Sequence, residues 1–232
     1  YTTLFRSIEI YLQFDSFKPH VLTKLRGKDL SAKRQKALEK LEKFNIHSTL
    51  VVTLERGQND DEIGKIIDFA LEYRCLRGVT FQPTQVAGRT DNFDPLKNKF
   101  TLTETRQGIL DQTDIFKEND IVPVPCNPDA LAMAYALKLD GKVVPLTSMI
   151  DPDIFLNGTR NTILLEQEEN LQKELIKVFS TSQAGGALAK NLQTLLCCLP
   201  MISAPNLSYE NIFRVIILKF MDAHDFDVRA VK

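Results

Sequence analysis

Leu76–Pro83 (LRGVTFQP) is a short run that is apolar and β-branched through its middle and polar near its far end, with Gly88 and Arg89 following at once. Such a run reads as a buried strand. The layout occurs twice earlier in the chain. Residues 8–15 (IEIYLQFD) close in Gln13 and Asp15, and residues 47–55 (HSTLVVTLE) close in Thr53 and Glu55. Because α/β barrels and open α/β sheets bind their ligands at the carboxyl ends of strands, the three runs are expected to present Gln13, Asp15, Thr53, Glu55 and Gln82 to one site.

The segments between these runs carry helical spacing. Ser31 is placed to cap a helix whose buried face is Ala37, Leu38, Leu41 and Phe44. Asn59 or Asp60 is placed to cap a second helix reaching about Tyr73, with Ile63, Ile66, Ile67 and Ala70 as its inner stripe. Alternation of strand and helix predicts an α/β fold of right-handed βαβ units with parallel strands.

The pattern then changes. Residues 88–98 form a polar, turn-rich linker, and Thr101 with Glu104 predicts a capping box for a helix to about Lys117, interrupted by Gly108. A Pro-rich loop follows around Cys126. Beyond it the expectations are a short helix over residues 129–137, a brief extended piece at Val143 and Val144 cut short by Pro145, and mostly helices from Asn161. Within that tail Leu195, Leu196, Leu199, Ile212, Val215 and Ile216 read as core at helical spacing.

Bulk properties narrow the function. A chain of 232 residues with 44% hydrophobic content can bury a sizeable core. A net charge of -1 supplies no basic field, so nucleic acid is not an expected partner. No apolar run approaches the ~20 residues of a membrane span, and a cytoplasmic location is the expectation. The four cysteines show neither a CxxC pair nor a disulfide spacing, which fits a reducing compartment. Cys75, Cys197 and Cys198 read as buried or incidental thiols. His20, His47 and His224 lack ligand spacing.

Several segments taken in order, YLQFDSF (11–17), LRGKDL (25–30), LVVTLERGQNDDEIGKIIDFA (50–70), RGVTFQPTQVAGR (77–89) and VPVPCNPDA (122–130), resemble radical S-adenosylmethionine (SAM) enzymes, in the branch that holds tetraether lipid synthases and archaeal pterin methyltransferases. The likeness covers most of residues 8–150 and, more weakly, residues 220–232. It implies a partial (βα) barrel of the radical SAM type, its C-terminal half over residues 8–92, followed by a mostly helical α+β extension over residues 93–232. It also implies radical C–C bond formation or methylation on a lipid or pterin, driven by reductive cleavage of S-adenosylmethionine with a 4Fe–4S cluster and an electron donor such as ferredoxin or flavodoxin.

The family holds its cluster through a CxxxCxxC loop, and this chain has none. On that reading it is a fragment, inactive alone, with residues 1–7 (YTTLFRS) resembling a translated sequencing adapter. The likeness assigns Gln13, Asp15, Thr53, Glu55, Asn59, Gln82 and Pro83 to cofactor binding, Arg26 and Arg89 to substrate, and Cys126 to an auxiliary cluster. Each has an ordinary alternative: Asp15 and Glu55 as turn caps, Asn59 as a helix cap, Arg26 and Arg89 as exposed loop residues. Two rival functions stand beside this one, an aldolase- or isomerase-type barrel enzyme and a non-catalytic binding module derived from the barrel.

Overall fold

The computed structural model describes residues 9–86, 94–124, 127–139, 142–148 and 211–220. Arg89, Cys126, Cys197, Cys198 and His224 lie outside them, as does the tail between residues 149 and 210. The fold is mixed α/β, and the chain forms two compact units. The first holds residues 1–114, 129–131 and 215–232; the second holds 115–128 and 132–214.

In the first unit β1 (Ile10–Gln13), β2 (Ser48–Leu54) and β3 (Leu76–Pro83) run parallel, with Gln13 opposite Val51, Thr53 opposite Gln82 and Leu54 opposite Pro83. Side chains alternate along a strand. Leu50, Val52 and Leu54, all fully buried, face the helices together with Val79 and Phe81. Gln13, Asp15, Thr53 and Gln82 therefore fall on the other face, at the strands' carboxyl ends. The helices of this unit are α1 (Pro19–Arg26), α2 (Ser31–Lys43), α3 (Ile63–Glu72), α4 (Pro95–Asn98) and α5 (Leu102–Gln112).

Local chemistry explains their bounds. Pro19 opens α1, where its missing N–H costs nothing, and Gly27 closes it at φ 77°, its N–H donating to the Thr23 carbonyl at 2.9 Å. For α2 the expected cap is corrected: Ser31 is the first helical residue, and Asp29 accepts from the Ser31 N–H at 2.9 Å. Phe44 is exposed, so the inner face of α2 rests on Leu38. The stripe Ile63, Ile66, Ile67 and Ala70 is fully buried, as expected for α3. The Thr101–Glu104 capping box forms, but α5 ends at Gln112 rather than near Lys117. Gly108 packs against α3, and a Cβ there would stand 2.6 Å from the terminal methyl Ile63 Cδ1, which would have to shift.

The chain beyond α5 departs most from expectation. Leu131–Leu139 is a strand, β5, not a helix; it pairs antiparallel with β4 (Val122–Pro123) and with β6 (Lys142–Pro145). The extended piece expected at Val143 and Val144 is present as β6. Ile212–Leu218 is also a strand, β7, which overturns the helical reading of Ile212, Val215 and Ile216. A nearly continuous apolar run, buried in all but its last residue, is the signature of an interior strand, and its Ile212–Val215–Ile216 spacing also matches a helix face.

Candidate functional site at the ends of the parallel strands

The chain leaves β1 through Phe14 and Asp15, both of whose N–H groups donate to the Val51 main-chain carbonyl, at 2.7 and 3.3 Å. Asp15 adopts φ 64°, a left-handed conformation that Asp tolerates better than most residues. This turns its side chain, only 2% exposed, across the top of β2. There Oδ1 accepts from Gln13 Nε2 at 2.7 Å and from the Thr53 N–H at 3.0 Å.

A helix absent from the sequence reading completes the site. From the last turn of α1, Arg26 donates through Nε and Nη2 to the two oxygens of Asp15, each at 2.8 Å, and through Nη2 to Thr53 Oγ1 at 2.9 Å. Lys24, from the same turn, meets Glu55 Oε1 at 2.6 Å. Two carboxylates at the ends of adjacent strands are thus matched by two cations from one helix end, where cations also suit the helix dipole. Burial pushes the Asp15 carboxyl upward, but the hydrogen bonds from Arg26, the Thr53 N–H and Gln13, with the Arg26 charge, more than offset this and hold it below the ordinary value.

Asn59 is fully buried beneath these groups. It stands at the start of a short 3₁₀ turn, Asp60–Glu62, without capping that turn through its side chain. Its amide spans the two strand ends instead, donating to the Asp15 and Thr53 carbonyls at 2.8 Å each and accepting from the Glu55 N–H at 3.0 Å. Alongside, buried Ser16 donates to Glu62 and Arg34 Nη2 donates to the Ser16 carbonyl at 2.9 Å.

The end of β3 is different. Gln82 is half-buried and level with Thr53, and its side-chain amide makes no hydrogen bond among the described residues. Beyond it Thr84 donates through its N–H and hydroxyl to the Leu54 carbonyl at 2.8 and 2.7 Å, and Gln85 Nε2 reaches the Pro83 carbonyl at 3.3 Å. A pocket of about 380 Å³ lined by Leu12, Phe14, Phe17, Arg34 and Phe69 lies on the helix-covered side of β1, away from these polar ends.

Of the residues expected at the site, the structure brings Gln13, Asp15, Thr53, Glu55, Asn59 and Arg26 into one hydrogen-bonded group and places Gln82 and Pro83 on the neighbouring strand end. Lys24, Ser16 and Glu62 went unnoticed. Pro19 and Gly27 bracketing a basic final turn were the signal for α1, and so for Lys24. Among the described residues no group of three or more His, Cys, Asp or Glu side chains is arranged to hold a metal ion, and no helix is long and apolar enough to cross a membrane.

No protein-family model matches the chain. It is 30% identical over 261 aligned positions to the 7,8-dihydro-6-hydroxymethylpterin dimethyltransferase of Methanocaldococcus jannaschii, an alignment covering 96% of this chain and 51% of that protein. The chain thus spans about half the length of this curated relative, and the two are distantly related.

Proposed function

We propose that the ends of β1, β2 and β3 hold S-adenosylmethionine within a radical SAM enzyme that methylates, or forms a C–C bond on, a pterin. The observation that carries this reading is the row of polar groups on one face of adjacent parallel strands, ending in a Gln82 amide with no partner among the described residues. Sequence relatedness to a protein named as a pterin dimethyltransferase favours a pterin over the lipid that the resemblance equally implies.

A nucleoside ligand asks for hydrogen-bonding groups at ribose hydroxyls and at an adenine edge. Thr53, Gln82 and Gln13 would meet the hydroxyls, the main chain beside Pro83 the base, and Glu55 the methionyl amino group. Asp15, already saturated, would act mainly by fixing Arg26 and the Thr53 N–H. The bound cofactor would supply the methyl group or radical, while these residues bind and orient it. A 4Fe–4S cluster would need ligands from beyond the described residues, Cys126 being a candidate, and an electron donor such as ferredoxin or flavodoxin would serve it. A cytoplasmic setting belongs to the same reading.

An aldolase-type alternative would use a lysine at a strand end. Lys24 is there, but it is about half exposed and ion-paired with Glu55, whereas a Schiff-base amine is desolvated or placed beside another cation. The test is calorimetric titration of S-adenosylmethionine into the chain. Saturable binding that Gln82→Ala weakens supports the proposal; heats indistinguishable from dilution, or binding indifferent to Gln82→Ala, reject it.

A further inference from the structure

We infer that Asn59 is a positioning residue that sets the geometry of the strand-end site by clamping Asp15 to β2, and that it does not itself touch a ligand. Neither donor is left for one. Both amide hydrogens are committed to the Asp15 and Thr53 carbonyls at 2.8 Å, its oxygen receives the Glu55 N–H at 3.0 Å, and the side chain is sealed from solvent.

The clamp matters because Asp15 occupies a conformation it would not hold unaided. At φ 64° a non-glycine residue pays roughly 1 kcal/mol or more, and such a residue persists only where its surroundings over-determine it. Asn59 grips the carbonyl of that same residue. The neighbouring Ser16 is gripped twice more, by Glu62 through its hydroxyl and by Arg34 through its carbonyl. One short stretch, residues 59–62, therefore holds the turn after β1 against the end of β2, and Asp15 in turn aims Arg26 and Gln13.

Release of the clamp frees Asp15 to leave the left-handed region, carrying its carboxylate away from the Thr53 N–H and Arg26. The charges facing that carboxylate are Arg26 from α1 and, farther off, Arg34 from α2. Loss of the first is what an experiment reads.

Carbon-detected NMR of the Asp15 carboxyl through a pH titration, in the native chain and in Asn59→Ala, makes the test. This readout needs no ligand, so it stands apart from the cofactor reading. The inference expects a folded variant, with α3 retained, whose Asp15 titrates nearer the ordinary carboxylate value than in the native chain. Unchanged Asp15 titration in a folded Asn59→Ala, whatever its stability, overturns it. Should alanine fail to fold, Asn59→Ser, whose hydroxyl can still serve one carbonyl, is read by the same criterion. A second arm rests on the cofactor reading: where the native chain binds S-adenosylmethionine, Asn59→Ala weakens it roughly tenfold, the equivalent of about 1.4 kcal/mol. Native binding with undiminished affinity in the variant overturns the inference while leaving the cofactor reading intact.

Discussion

The ends of β1 and β2 are a closed circuit, whereas the end of β3 is open. In the first, Asp15, Thr53, Glu55 and Asn59 satisfy one another and two cations from α1. In the second, Gln82 stands on the same face and at the same level with no described partner. The lesson is a division of labour: buried polar groups that are fully paired fix a backbone, and a polar group left unpaired beside them is available to recognise something else.

Breaking the closed half has the largest effect. Asn59→Ala orphans two carbonyls and one N–H at a buried position, and urea unfolding should record a loss of about 3 kcal/mol; a loss below about 1 kcal/mol would show that the clamp is not needed for stability. Gly64→Ala comes next in the same unit, since the new Cβ would lie 2.1 Å from the Gln112 carbonyl oxygen where α3 meets α5. An overpacking cost of about 2 kcal/mol is expected in the same assay.

Asp15 gives the circuit a pH signature. Its carboxyl is held below the ordinary value of 3.8, so the folded state binds fewer protons there than the unfolded chain. The stabilisation is therefore complete above the unfolded value and is lost as pH falls through the lower folded value. Asp15→Asn should remove this component, leaving a flatter decline of stability in acid; an unchanged acid limb would contradict the Arg26 and Thr53 pairing.

At the rim of the closed half, Lys24→Ala loses an ion pair whose lysine is 47% exposed, and less than about 1 kcal/mol is expected. The open half should respond most weakly in stability. Gln82→Ala should change stability by no more than about 0.5 kcal/mol. A larger loss at Gln82 would mean that it, too, is part of the scaffold.

Much of this first unit was legible in the sequence because its signals are local. Alternation of β-branched runs with the Ile63–Ile66–Ile67–Ala70 stripe defined the parallel strands, and polar residues at run ends marked the site. What escaped was decided by tertiary contact. LAMAYALKL reads as a good helix by propensity, yet it forms β5 because β4 and β6 flank it. Gly108 read as a helix interruption until Ile63 was seen against it. Asn59 has the sequence setting of a helix cap, and only the approach of Asp15, 44 positions earlier, reveals its other task.

Central to the account is the availability of the β3 end for a nucleoside. Two-dimensional NMR of the chain, recorded during addition of S-adenosylhomocysteine as a stable stand-in for the sulfonium cofactor, addresses it directly. The account predicts saturable shifts at the Gln82 side-chain amide and at the Thr53 and Thr84 backbone amides, with the Asn59 side chain keeping its hydrogen-bonded resonances. Shifts confined to the helix-side pocket around Phe14 and Phe69, or none at all, would contradict it.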